Sequence, residues 1–216
     1  PEVEISGTVT AGAKPTTALV AVDNPTDAAF RIVNSILRES GLPVAANIQY
    51  TRRPRQADDT LLTRITSKPL VETLPDFLKP SDNLYGELLL RTIGRIDASP
   101  ATPASGIKRI QTWMTERGIP SDGVQPADGS GLSMWNTTTA EATVALLKAM
   151  SETKAFRDAL PVGGIDGTLK ARFPAPEHRG KVIAKTGTLS VASCLSGYAV
   201  TTKGETIIFS ILMNHF

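Results

Sequence analysis

The tightest constraint on the fold lies at the end of the chain, where three apolar-rich runs, residues 181–189, 193–201 and 206–214, are separated only by short polar breaks. Runs of this length bounded by turn residues read as strands, and connections this short join antiparallel neighbours. With Lys203-Gly204 as a tight turn, the chain is predicted to finish as a three-strand meander. The first of these strands carries Lys185-Thr186-Gly187, so a cation, a hydroxyl and a bare backbone position follow one another in the sheet.

Upstream the pattern is mixed. Residues 3–9 and 18–22 read as short strands with a turn over 12–17. Asn24 is a good cap before Pro25, and Phe30, Val33 and Leu37 keep helical spacing until Gly41. Residues 50–68 turn polar and basic, a solvated loop with a short strand expected over 61–67 and a domain boundary near Lys68. From Pro69 the chain reads as helix, breaks at Lys79-Pro80, and resumes in a second helix that opens at Ser81-Asp82-Asn83 and runs to Gly94. Ser, Asp and Asn are what any helix start prefers, so capping is the plain reading of that tripeptide. Thr102-Pro103 opens another helix, ended by Gly118, with Ile107, Ile110 and Met114 on one side. Thr138 and Glu141 fit a capping box for the next, with Val144, Leu147 and Met150 as its buried stripe. Between and after these lie two Gly-containing loops, Asp128-Gly-Ser-Gly-Leu-Ser133 and Asp166-Gly-Thr-Leu169. The result is an α/β chain of helices and an antiparallel sheet.

Composition removes several function classes. With 216 residues, 41% hydrophobic and 20% charged, the chain can bury a core. A formal charge of +2 without a Lys/Arg cluster gives no case for a nucleic-acid partner. One cysteine, Cys194, excludes an internal disulfide framework and reads as a buried structural thiol in an apolar strand. His178 and His215 have no metal-ligand spacing, so no metal and no cofactor is expected. No membrane span and no signal-peptide pattern is visible in these residues.

Serine acyl-transfer sites combine an S-D-N element with K-T-G and a nucleophilic S-x-x-K. Ser81-Asp82-Asn83, Asp128-Gly-Ser-Gly-Leu-Ser133, Asp166-Gly-Thr-Leu169 and Lys185-Thr-Gly-Thr188, in that order, resemble the penicillin-binding D-alanyl-D-alanine carboxypeptidases of the peptidase S13 family over nearly the whole chain. The resemblance implies a transpeptidase-like domain of the serine β-lactamase type over residues 68–216, preceded by the end of an inserted accessory domain over 1–67. It implies that Ser81 relays a proton to the leaving group, that Asn83 orients the substrate amide and the catalytic lysine, and that Lys185 supplies positive charge beside Ser81. Thr186 and Thr188 would hold the substrate carboxylate, the Thr188 N–H would be one of two oxyanion donors, and Gly187 would leave room for a peptide along the strand edge.

The implied activity is that of a serine carboxypeptidase, with endopeptidase work as an extension, on peptidoglycan stem peptides ending in D-Ala-D-Ala. β-Lactams would be its inhibitors and the periplasm or another extracytoplasmic space its location. A non-catalytic scaffold that binds cell-wall peptides and a serine β-lactamase relative are the alternatives, and the oligomeric state stays open. One departure matters: no S-x-x-K precedes Ser81. Ser105-Gly-Ile-Lys108 and Ser151-Glu-Thr-Lys154 match it downstream, but about one such match is expected by composition, and both fall in expected helices. The chain is therefore expected to be a piece of a longer enzyme, inactive by itself and exposing apolar surface at Ile207, Phe209 and Ile211. A second departure is Met134, where the family often has an arginine.

Overall fold

A computed structural model of the chain describes residues 6–15, 17, 20–45, 53, 54, 56–61, 63–96 and 101–214. The chain divides into two units, Pro1–Arg64 and Ile65–Phe216. In the first, α1 (Pro25–Glu39) begins where Asn24 accepts a hydrogen bond from the Asp27 N–H, with Pro25 at the first helical position. Residues 6–9 and 20–22 form no strand, contrary to the sequence expectation, and the rest of those two segments lies outside the described residues. No strand forms over the described residues of 61–67 either. Extended backbone becomes a strand only with a neighbour to pair its N–H and C=O groups, and period-2 patterning cannot supply that neighbour.

The second unit holds the helices and the sheet. α2 (Leu70–Leu78) ends just before Pro80, and α3 (Asn83–Gly94) starts after the corner Lys79 to Asp82. α4 (Pro103–Glu116) is entered through a capping box in which Thr102 and Ser105 exchange side-chain bonds with each other's backbone N–H. α5 (Ala140–Ala149) is capped by Thr139, not Thr138 as the sequence suggested, through a 3.1 Å bond from the Ala142 N–H. A short α6 (Lys154–Ala159) and a 3-10 turn (Gly167–Leu169) lead into the sheet.

The meander forms as β1 (Val182–Leu189), β2 (Ala192–Val200) and β3 (Thr206–Asn214), antiparallel in the order β1-β2-β3. Its register gives the two faces different work. Ile183, Tyr198 and Ile208 are paired across the three strands and pack with Leu147 of α5 and Leu160, while the Tyr198 hydroxyl donates to the Leu147 carbonyl at 2.6 Å. Two residues further along the same face the rung becomes Lys185, Ser196 and Ser210. On the opposite face Leu169, Ala184 and Leu195 are buried together, but Ile207 and Ile211 are half exposed at 49% and 51%, with Phe209 partly covered. Burial of a leucine side chain is worth about 1.5–3 kcal/mol, so the helix-covered face anchors the sheet. Cys194 lies on β2, partly exposed instead of buried.

Candidate active site

Two elements meet at the site. β1 is an edge strand whose outer side, among the described residues, is covered only at its start, where Val162 bridges to Ile183 and the Ala184 N–H donates to the Pro161 carbonyl. Backbone groups of alternate residues face the same edge, so those of Thr186 and Thr188 turn to the open side. The other element is the corner between α2 and α3, residues Lys79 to Asp82. Asp82, not its neighbours, is the N-cap of α3, accepting from the Tyr85 N–H at 2.8 Å. That assigns the capping function within Ser81-Asp82-Asn83 and leaves the Ser81 hydroxyl free of it. Ser81 has φ +63°, in the left-handed region. For a residue other than glycine this costs on the order of 1–3 kcal/mol and persists only where the surroundings impose it.

The imposed geometry turns Ser81 toward the strand. Lys185 Nζ donates to Ser81 Oγ at 2.6 Å and to the Thr186 carbonyl at 2.7 Å. Among the described residues no carboxylate pairs with Lys185. Burial without a counter-charge pushes its pKa below the ordinary lysine value. An ammonium has three donors and two are engaged, so one is left for a ligand. Because Ser81 Oγ accepts from Lys185, the serine keeps its own proton to give away. Thr186 Oγ1 donates to Thr168 Oγ1 at 2.7 Å. Asn83, Gly187 and Thr188 stand exposed, Asn83 at the first position of α3. Ser81 and Lys185 are thus in contact across 104 residues of sequence, while the Asn83 side chain makes no hydrogen bond among the described residues.

Several supporting residues escaped the sequence reading. Glu87 Oε1 accepts from the N–H groups of Gly129 and Ser130, both at 3.0 Å, binding the Asp128–Ser133 loop to α3. The approach is so close that a Cβ on Gly129 would lie 2.3 Å from the Gly86 carbonyl oxygen. Glu87 is four residues beyond Asn83, hence on the same helix face, which is the signal that could have marked it. Inside the loop, Asp128 accepts from the N–H groups of Gly131 and Ser133 and from Asn136 Nδ2. Burial raises the pKa of its carboxyl, but the donors Asn136, Ser133, Gly131 and Ser130 outweigh it and hold the group below the usual carboxylate range. Leu132, Met134 and Trp135 project from this loop exposed.

The two downstream S-x-x-K matches have no nucleophile geometry. Ser105 is committed to its capping box. Ser151 lies in the turn between α5 and α6, outside any helix and so unlike the sequence expectation; its hydroxyl donates to the Lys148 carbonyl, and Lys154 pairs with Asp158. Both protons point away from a serine–lysine partnership. Among the described residues no group of His, Cys, Asp and Glu could hold a metal ion, and no helix is long and apolar enough to cross a membrane.

Comparison with known proteins gives one answer. The chain is 34% identical to a D-alanyl-D-alanine carboxypeptidase of Actinomadura sp. (strain R39) over 98% of its own length and 41% of the relative's. It is 29% identical to the D-alanyl-D-alanine carboxypeptidase DacB of Haemophilus influenzae over 99% of its length and 45% of the relative's. The chain therefore spans less than half the length of these relatives. Among solved structures, penicillin binding protein 4 from Haemophilus influenzae, complexed with a novel β-lactam, matches with TM-score 0.80 and 29% identity over 90% of this chain and 46% of that one. The fold is thus the α/β penicillin-binding fold. Since the profile of the D-Ala-D-Ala carboxypeptidase 3 (S13) family matches residues 2–216, the chain belongs to that family.

Proposed function

We propose that the protein carrying this chain is a serine-type D-Ala-D-Ala carboxypeptidase that cleaves peptidoglycan stem peptides through an acyl-enzyme and binds β-lactams at the same site, outside the cytoplasmic membrane. Residues 68–216 would form the later part of its transpeptidase-like domain, and 1–67 the end of an accessory domain. The observation that carries this reading is the 2.6 Å contact between Lys185 Nζ and Ser81 Oγ at an open strand edge.

The chemistry follows from what each group can donate. A peptide ending in a carboxylate lies along the outer edge of β1 as an added strand, where Gly187 offers no side chain in its way. The remaining Lys185 donor and the hydroxyl of Thr188 hold the carboxylate, joined by the Thr186 hydroxyl only if it turns its single proton away from Thr168, and the Thr188 N–H stabilises the developing oxyanion. Ser81 gives its proton to the departing D-Ala nitrogen and recovers one from the attacking hydroxyl, with the Lys185 charge favouring that exchange. Asn83 orients the scissile amide. The attacking serine itself would come from an S-x-x-K segment of the whole protein.

The test uses that whole protein with a diacetylated tripeptide ending in D-Ala-D-Ala and with a fluorescent penicillin. Release of D-Ala and one covalent label, mapped to a peptide outside Ser81, Ser105 and Ser151, are expected. Binding of both without D-Ala release or label would overturn the enzyme reading in favour of a cell-wall peptide scaffold. Label on Ser81 would overturn its role as relay.

A further inference from the structure

We propose that the turn Asp166-Gly167-Thr168 is the positioning device of this site: it fixes the Ser81 corner against the Lys185-Thr186-Gly187 strand, Asp166 acting on Ser81 through Lys79 and Thr168 acting on the strand through Thr186. The inference rests on the acyl-transfer reading of the site. Among the described residues, these three touch both halves of the site at once.

Toward the corner, Asp166 Oδ2 accepts from Lys79 Nζ at 2.5 Å, the Leu160 carbonyl accepts from the same ammonium at 3.1 Å, and the Thr168 N–H donates to the Lys79 carbonyl at 3.1 Å. Lys79 is thus held by its side chain and by its backbone, two residues before Ser81. Within the corner, the Asp82 N–H donates to the Phe77 carbonyl at 3.0 Å. Together these bonds supply the outside constraint that a serine at φ +63° requires. Toward the strand, Asp166 Oδ1 accepts from the Val162 N–H at 2.9 Å, next to the bridge that joins Val162 to Ile183 of β1, and Thr168 Oγ1 accepts from Thr186. Gly167 has φ +56°, and a Cβ there would stand 2.7 Å from the Lys79 carbonyl oxygen. The turn therefore seats Lys79 closely, and a side chain at 167 would push the corner away from the strand.

The ion pair is partly solvated, with its side chains 24% and 36% exposed. Exposed pairs add little to stability, so its contribution is to geometry. Displacement of a reacting group by about 1 Å costs up to about 100-fold in rate. Hence loss of the pair should slow the proton-relay step more than it weakens binding or lowers the melting temperature.

The experiment compares the whole protein with Asp166→Asn, Lys79→Met, the double variant and Lys79→Arg. Rapid mixing with a fluorescent penicillin separates the pre-acylation binding constant from the acylation rate, and hydrogen exchange follows the amides of Thr168 and Asp82. Asp166→Asn and Lys79→Met should each slow acylation about 10- to 100-fold with the binding constant retained. The double variant should be no slower than either single one, because one pair is removed in each case. Lys79→Arg should recover most of the rate, and exchange at Thr168 and Asp82 should quicken while that of Met150, at the end of α5, does not. Wild-type rates in the single variants, additive losses in the double, or a loss confined to the binding constant would overturn the proposal. If the unaltered protein takes up no penicillin, the acyl-transfer reading fails instead, and unchanged Thr168 and Asp82 exchange in Asp166→Asn would then overturn the brace by itself. If Asp166→Asn does not fold, Lys79→Met removes the same pair while keeping the Asp166 bond to Val162.

Discussion

Ser81 and Lys185 touch, yet the two sides of that contact are held by unlike means. Lys185 sits in a regular strand whose position is set by a continuous ladder with β2, residue against residue from Val182 to Leu189. Ser81 sits with a left-handed backbone in the short corner from Lys79 to Asp82, fixed by long-range bonds from a turn more than eighty residues away. A ladder distributes its constraint over many weak, equivalent bonds and tolerates the loss of one. A corner concentrates it in a few, so geometry there fails abruptly. Catalytic groups that must donate and accept a proton benefit from this second kind of support, because the donor is then pre-aimed.

The two kinds of support part most sharply at Ser81, the proposed proton relay. Ser81→Ala should leave the fold intact, since the cap belongs to Asp82, while slowing acylation by about 10²–10⁴-fold, the range of a lost general acid–base group. A fluorescent-penicillin time course reads this, and a loss under tenfold would mean Ser81 is not the relay. Next comes Gly129→Ala, which drives a methyl against the Gly86 carbonyl oxygen and should destabilise the loop side of the site by about 1–3 kcal/mol, read as a lower denaturant midpoint. An unchanged midpoint would show that the loop is not seated on α3 as described.

A smaller effect is set by pH. Lysine is charged below its pKa, and burial lowers that of Lys185, so the ammonium that would attract a substrate carboxylate is lost earlier on the alkaline side than for an ordinary lysine. KM for the D-Ala-D-Ala peptide should rise as pH climbs through that lowered value, and Lys185→Arg should move the rise beyond the accessible range. A KM that stays flat up to the ordinary lysine pKa would contradict it. The same shift makes the unfolded chain bind more protons between the two values, so this group's contribution to stability rises with pH across that window. The smallest expected change in stability is that of Gly187→Ala. A Cβ there meets only Cys194 Cβ at 3.5 Å, an ordinary contact, so the melting temperature should hold within experimental scatter while peptide binding weakens. A fall in stability instead would show that strand β1 is as tightly seated as the corner.

Elements whose pattern is local were legible in the sequence. The three strands of the meander, the helix from residue 83 to 94, the caps at Asn24 and Thr102 and the position of Lys185-Thr186-Gly187 on the first strand all follow from spacing and composition within a dozen residues. Long-range packing settled which residue of Ser81-Asp82-Asn83 caps the helix, that Ser151 falls in a turn, and that residues 6–9 and 20–22 do not pair into strands. It alone brought the Asp166-Gly167-Thr168 turn to both Lys79 and Thr186. The reason is physical: capping residues are chemically interchangeable until the backbone chooses one, a strand exists only if another finds it, and an ion pair between residues 79 and 166 leaves no trace in the periodicity of either segment.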